Sequence, residues 1–241
     1  MQYVTIKSID KVTHDTLRIV TEKPGGLAYE PGQATSIAID RKGWEEKSRP
    51  FTFSSLPEDD NLEFIIKTYP DHDGTTDKLL DVEPGERLIL NGIFGAIEYK
   101  GEGLFIAGGS GITPFLSILR DLKKKGEIGG NSLIFANKTE KDIILKNELE
   151  EMLGDKFVNV LSEEKNERHE HGFITRELVE RVVAGSGSGT SGASVSGDSQ
   201  QKDAGNSGYY YLCGPPPMMK ALEEILAGMN VDSGKIVKES F

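Results

Sequence analysis

The stretch Gly108-Gly109-Ser110-Gly111-Ile112-Thr113-Pro114 stands between a short apolar run, Leu104 to Ala107, and a helix-periodic one, Pro114 to Lys125. A glycine-rich joint of this kind puts unpaired N–H groups and the positive end of a helix dipole next to backbone without Cβ atoms. It serves equally as a tight strand-to-helix turn or as a cradle for a pyrophosphate, and the stretch alone does not choose. It differs from the Gly-x-Gly-x-x-Gly dinucleotide fingerprint, because Pro114 holds the place of the last glycine. Thr113 followed by Pro114 predicts a helix start, with the threonine as cap and the proline in the first turn.

Downstream the alternation repeats: Ser132 to Ala136 with Lys141 to Leu153, Phe157 to Leu161 with Thr175 to Val183, and Tyr209 to Leu212 with Met218 to Gly228. Short apolar strands alternating with helical periods predict a doubly wound parallel sheet covered on both faces. Thr139, with Asp142 three residues on, forms a shortened capping box. Cys213-Gly214-Pro215-Pro216-Pro217-Met218 follows the last strand of the series, so it belongs to the same carboxyl edge as the glycine loop and faces the same crevice. Its prolines make a stiff wall, and Cys213 taken alone reads as a small buried hydrophobe. Residues 185–208 are rich in Gly and Ser, which predicts a flexible insertion at the sheet edge away from the crevice.

Upstream, Tyr3 to Ile9, Thr16 to Thr21, Thr35 to Ile39, Leu62 to Tyr69 and Arg87 to Leu90 alternate as strands, and turn signals separate them. This spacing predicts a closed antiparallel barrel, and with it two domains, 1–100 and 101–241. In Arg49-Pro50-Phe51-Thr52-Phe53-Ser54-Ser55 a guanidinium stands beside aromatic and hydroxyl groups, suited to a phosphate and a flat heterocycle. The same segment also reads as an edge strand with core phenylalanines.

Across the 241 residues, 28 Lys and Arg face 39 Asp and Glu, a formal charge of −11, which speaks against nucleic acid as a partner. One cysteine excludes a disulfide or a thiolate-held cluster within the chain. Without a signal-like start or a long apolar run, a soluble cytoplasmic protein with no membrane partner is expected. His14, His72, His169 and His171 form no metal set; His169 and His171 read as solvated loop histidines, and no metal is expected. Arg41, Lys42, Lys47 and Lys123 to Lys125 offer a basic face for an acidic carrier.

Together the three motifs resemble, in order and spacing, the ferredoxin-NADP reductase-like family of flavoprotein reductases. The resemblance covers nearly the whole chain except the Gly/Ser insertion. It implies an FAD-binding barrel, with FAD preferred over FMN, followed by an NAD(P)-binding α/β domain. By resemblance, Arg49 holds the flavin pyrophosphate, Pro50, Phe51 and Thr52 line the flavin, and Phe51 stands where the family has tyrosine. Lys67 and Tyr69 match the next flavin-contacting strand, and Gly74-Thr75-Thr76 matches the phosphate turn. Gly108, Gly109, Gly111, Thr113 and Pro114 match the dinucleotide loop, and Cys213, Gly214, Pro215 and Met218 the nicotinamide pocket. Glu239 and Phe241 match the acid and terminal aromatic beside the rings, so that Thr52, Cys213 and Glu239 become the catalytic candidates. Asn137 to Leu145 resembles the loop of NADH-using cytochrome-b5 reductases, which favours NADH over NADPH. The implied activity is hydride transfer from NAD(P)H to FAD, with electrons passed to a separate acceptor: a ferredoxin, a flavodoxin or a haem protein. The alternatives are a free-flavin reductase and a non-catalytic electron-transfer subunit.

Overall fold

Strict alternation builds the first half of the chain. The computed structural model describes residues 1–70, 72–186 and 208–240. Strands β1 (Gln2–Thr13), β2 (Thr16–Glu22), β3 (Ala34–Ile39), β4 (Arg49–Thr52), β5 (Asn61–Lys67) and β6 (Arg87–Phe94), with a short helix α1 (Thr75–Lys78) before β6, form an antiparallel sheet in the order β4-β3-β6-β1-β2-β5. Ser54, just past β4, donates its N–H to the Glu63 carbonyl of β5 at 2.9 Å, so the outer strands meet and the sheet closes as a barrel. Its core takes every second residue, among them Ile19, Ile37, Leu62, Phe64, Ile66 and Leu90.

The second half comprises β7 (Gly103–Gly108), α2 (Thr113–Lys125), β8 (Ser132–Asn137), α3 (Lys146–Leu153), β9 (Phe157–Leu161), β10 (Glu170–His171), α4 (Arg176–Ser186), β11 (Tyr209–Gly214), α5 (Pro216–Gly228) and β12 (Ile236–Ser240). Its strands are parallel and ordered β10-β9-β8-β7-β11-β12. Successive residues of β7 feed opposite layers: Phe105 and Ala107 pack with α2 and α3, Leu104 and Ile106 with α4 and α5. That is the doubly wound arrangement the apolar runs predict.

Two local expectations give way. Thr113 does not cap α2; a 3-10 turn, Gly109–Ile112, intervenes, and Thr113 is already helical with its hydroxyl donated to the Ser110 carbonyl at 3.0 Å. The expected helix from Lys141 to Leu153 is split. The Thr139–Asp142 capping box forms, but it closes only one 3-10 turn, Glu140–Asp142, and α3 starts at Lys146 after Leu145 at φ 51°. Ile143 and Ile144 are both buried against the core, and the chain runs extended at Ile143 before the helix begins. Of the expected insertion, 187–207 lie outside the described residues; its flanks, Ser186 and Gly208, connect the end of α4 to the amino end of β11.

Strand β5 joins the two halves. Its even residues fill the barrel, while Glu63, Ile65 and Lys67 face outward and are covered in turn. Ile65 packs into the core beneath α2. Glu63, 7% exposed, accepts from Arg120 of α2 at 2.6 Å, from Arg18 of β2 at 2.5 Å and from the Ser54 hydroxyl at 2.9 Å. Arg120 also donates to the Ser54 carbonyl at 2.7 Å and, through two nitrogens, to Glu148 of α3 at 2.6 and 2.9 Å. One turn earlier on α2 the buried Ser117 hydroxyl accepts from Gly32 N–H of the barrel at 2.9 Å.

Burial alone would push the Glu63 carboxyl up; the Arg120 guanidinium, the Ser54 hydroxyl and Arg18 override it and hold the group below its ordinary value of 4.5. A depressed carboxyl contributes stability above that value and loses it as pH falls through the folded pKa. Thermal unfolding followed by circular dichroism should therefore show a midpoint that drops below about pH 4.5. Glu63→Gln should lose about 3 kcal/mol at pH 7, because it leaves a largely buried guanidinium short of a partner, and its acid dependence should be flatter.

Candidate functional site

In the parallel sheet, chain order reverses between β7 and β11: β8 and β9 extend one side of β7, while β11 and β12 extend the other. At such a switch the loops leaving the two central strands turn away from each other and open a crevice at their carboxyl ends. The glycine loop leaves β7 there, and Cys213-Gly214-Pro215 leaves β11. The two loops touch. A Cβ on Gly111 would stand 2.2 Å from the Cys213 carbonyl oxygen, and Gly108 and Gly214 leave room for the Met218 side chain. Much of the glycine signature is thus demanded by loop packing. Gly109 is different: its φ of +54° favours glycine and nothing lies within 4 Å of where a Cβ would be, so the loop turns this residue toward open space.

Two cavities lie against these loops. The first, about 470 Å³, is bounded by Arg49 to Thr52 of β4, by Ile65 to Lys67 of β5, by Tyr69, His72 and the Gly74–Thr76 turn, and by Ser110 and Thr113. Thr75 donates to the Lys47 carbonyl at 2.6 Å, which ties that turn to the loop entering β4. Arg49 is exposed, donates to the Ser48 carbonyl at 2.9 Å and makes no ion pair among the described residues. A guanidinium free of carboxylates beside a turn rich in hydroxyl and amide groups suits a phosphate ester.

The second cavity, about 540 Å³, gathers strand ends: Gly108 and Gly109 from β7, Asn137 and Lys138 from β8, Ser162 after β9, and Pro215, Pro217 and Met218 after β11. Ile174, Ala221, Leu222 and Phe173, which is 82% exposed, make its far wall apolar. The Asn137 side-chain nitrogen is buried with no partner, so the polar end of this cavity holds a donor that a bound acceptor would satisfy. Both volumes fall within the few-hundred-Å³ range of small-molecule sites. Lys67, Tyr69 and Ser110 line both cavities, so molecules filling them meet at a common wall.

Lys67 is held by a carboxylate of its own half. Its ammonium lies 2.8 Å from Asp15, whose carboxyl, opposed by burial, is held below its ordinary value by Lys67 and the Thr13 hydroxyl. His14 stands 3.8 Å from Asp142 of the second half and 3.7 Å from Asp15. His14, Asp15 and Asp142 converge, but Lys67 holds one carboxylate and the Thr139 cap the other.

The expected site residues divide into those the cavities gather and those behind them. Arg49, Pro50, Phe51, Thr52, Lys67, Tyr69, Gly74, Thr75, Thr76 and Thr113 line the first cavity; Gly108, Gly109, Asn137, Pro215 and Met218 line the second. Gly111, Pro114 and Gly214 lie in the packed layer beneath. Cys213 is fully buried, paired in register with Glu239 of β12, and lines neither cavity. Burial, and behind it the Glu239 carboxylate, push its thiol far up, so it stays protonated. Burial also raises the Glu239 carboxyl, against a hydrogen bond from the Ala96 backbone. Phe241 lies outside the described residues.

Four parts of the cavity walls are not among the expected site residues: Ser110, although it stands inside the glycine motif, His72, Ser162 and the Gly172-Phe173-Ile174 segment, the last two of which stand in no motif. Two expectations are corrected. His169 is no solvated loop residue: its side chain is 7% exposed and lies 3.5 Å from Glu140. The expected basic face is largely neutralised, because Arg41 pairs with Glu86, Lys123 with Glu151, Lys124 with Glu58 and Lys125 with Asp121.

Residues 105–224 match the oxidoreductase NAD-binding domain model and residues 1–84 the FAD-binding domain model. The chain is 26% identical over 236 residues to NADH-cytochrome b5 reductase 2 of Mycosarcoma maydis, covering 90% of this chain and 63% of that protein. It is 28% identical over 250 residues to the reductase component of propane 2-monooxygenase from Mycolicibacterium goodii, covering 98% and 66%. It thus spans about two thirds of the length of these curated relatives. A solved ferredoxin NADP+ reductase from Neisseria gonorrhoeae with bound FAD and NADP shares the fold, with a TM-score of 0.80 at 18% identity over 99% of this chain and 98% of that one. Among the described residues no helix is long and apolar enough to cross a membrane. With an FAD-binding domain followed by an NAD-binding domain on this two-sheet frame, the chain belongs to the ferredoxin-NADP reductase-like flavoprotein family.

Proposed function

We propose that this chain is the flavin- and nicotinamide-binding part of an NAD(P)H-dependent reductase, with residues 1–100 holding FAD and residues 101–241 holding the dinucleotide. The observation that carries this reading is the shared wall: Lys67, Tyr69 and Ser110 border both cavities. Bound FAD would supply the hydride acceptor and the outlet for single electrons to a separate acceptor, whether ferredoxin, flavodoxin or haem protein. Arg49 and the Gly74–Thr76 turn bind the flavin phosphates, Phe51 packs on the ring system, and Thr52 offers a hydroxyl at its edge. Gly109, Ser110 and the start of α2 receive the dinucleotide phosphates, and Asn137 donates its orphaned amide. Holding both ligands against one wall turns a bimolecular encounter into a positioned one.

NADH is the preferred donor on this reading. Lys138, the cation that the second half contributes to the wall of the second cavity, is paired to Glu163 at 3.2 Å, Glu164 follows directly, and Lys67 on the same wall is paired to Asp15. A 2′-phosphate entering here meets carboxylates in place of free arginines. A cytoplasmic location is part of the same proposal.

Anaerobic titration of the yellow protein should bleach the flavin with one equivalent of NADH, while NADPH reduces it at least ten-fold more slowly; a flavin inert to both donors makes the chain a non-catalytic subunit. Loss of colour on desalting would favour the free-flavin reductase. Arg49→Ala should weaken flavin retention by about 2 kcal/mol, the worth of a charged hydrogen bond, measured by equilibrium dialysis. Cys213 serves as packing and not as a nucleophile, so it should resist iodoacetamide at pH 8 in the native protein and react fully in denaturant, as mass spectrometry would show.

A further inference from the structure

Arg120 stands outside both cavities and matches none of the motifs, yet among the described residues it is a heavily engaged cation, with four hydrogen bonds to Glu63, Ser54 and Glu148. Its Nη1 reaches across to the barrel, at 2.6 Å from Glu63 and 2.7 Å from the Ser54 carbonyl, while its Nε and Nη2 grip Glu148 of α3. The two barrel contacts flank the flavin cavity along the chain. Ser54 is two residues past Thr52, and Glu63 is two residues before Ile65, both cavity residues. At the other end of the same helix, Thr113 and the preceding Ser110 bound the cavities. Thr113, Ser117 and Arg120 recur at the four- and three-residue spacing of one helix face, and Ser117 accepts from Gly32 between them. Ser117 and Arg120 of this face touch the barrel, and Thr113 meets it across the first cavity.

We propose that Arg120 is a positioning residue for hydride transfer: through its fork to Glu63, Ser54 and Glu148 it sets the register of α2 on the barrel, and so the separation of the two ligands that meet at the Ser110 wall. The inference rests on the reductase reading above. A rigid helix transmits the constraint. If α2 pivots on its Ser117 contact after Arg120 lets go, the loop at its start shifts relative to β4 and β5. Neither cavity loses a wall residue, so both ligands still bind, but they meet out of alignment. Positional errors of about 1 Å are enough to cost on the order of 100-fold in rate. Lysine cannot substitute fully, because one ammonium cannot hold two carboxylates and a carbonyl in the planar arrangement a guanidinium allows.

The test is anaerobic stopped-flow reduction of the flavin-loaded protein by NADH in the wild type, Arg120→Lys, Arg120→Gln and Glu148→Gln, at a temperature well below each unfolding midpoint. Flavin content, the NADH dissociation constant and the long-wavelength charge-transfer absorbance are measured alongside. The expected result is full flavin content and a dissociation constant within about three-fold of wild type, a limiting reduction rate lowered at least ten-fold in Arg120→Gln with partial recovery in Arg120→Lys, and a weakened charge-transfer band. Glu148→Gln leaves the barrel contacts in place, tests the outer arm alone, and should give a smaller loss of the same kind; it carries the test if Arg120→Gln does not fold. An unchanged limiting rate and band, with only a lower unfolding midpoint, overturns the proposal and makes Arg120 a structural brace. A loss confined to the dissociation constant overturns it as well. Failure of NADH and NADPH to reduce the wild type sinks the reductase reading instead, an outcome distinct from a normal wild type with normal variants.

Discussion

Strand β5 has no face left for solvent. Its even residues are barrel core and its odd residues form the seat of the second half, so each side chain from Leu62 to Ile66 is committed to one domain or the other. The consequence is electrostatic as much as apolar. Glu63 is driven into a low-dielectric seam, where an unpaired carboxylate would cost several kcal/mol, and the guanidinium of Arg120, assisted by the Ser54 hydroxyl and Arg18, makes that burial tolerable. Pairs at the rim of the seam, such as Lys124 with Glu58, join the same two halves but are exposed to water and contribute about 0–1 kcal/mol. The buried network therefore dominates the docking of the two sheets.

That docking creates the site. The crevice of the parallel sheet opens at the β7–β11 switch whether or not a barrel is present, but its inner wall is borrowed: Lys67 and Tyr69 come from the chain just beyond the seam. Each cavity depends on residues of both halves, which is why a constraint on α2 so far from the loops bears on how two ligands would meet.

Much of this was legible in the chain. Alternation in the first hundred residues gave five of the six barrel strands to within a few positions, while β4 stood only in the edge-strand reading of the Arg49 segment. The apolar runs of the second half gave Phe157–Leu161 at its observed bounds, because apolar residues stand at both ends of the strand, with Asn159 between them. The motif residues Arg49 to Thr52 and Gly74 to Thr76 gather in one cavity. Less legible were Phe173 and Ser162, whose roles depend on which strand ends lie side by side, and His169, whose burial comes from its packing beside Glu140. The glycines of 108–111 are instructive because their spacing reflects contact with the Cys213 loop as much as access for a phosphate.

By itself the sequence determined the two kinds of sheet, their order along the chain and the chemistry of the loops, because periodicity and turn residues act over short separations. Only the tertiary structure decided that Glu63 and Arg120, 57 positions apart, would meet in a largely buried seam, that Cys213 would lie beneath the crevice floor, and that Lys67 would border two cavities. The physical reason is that a charge or a thiol carries no mark of its future neighbours; its energy is set by the dielectric and the partners that folding brings to it.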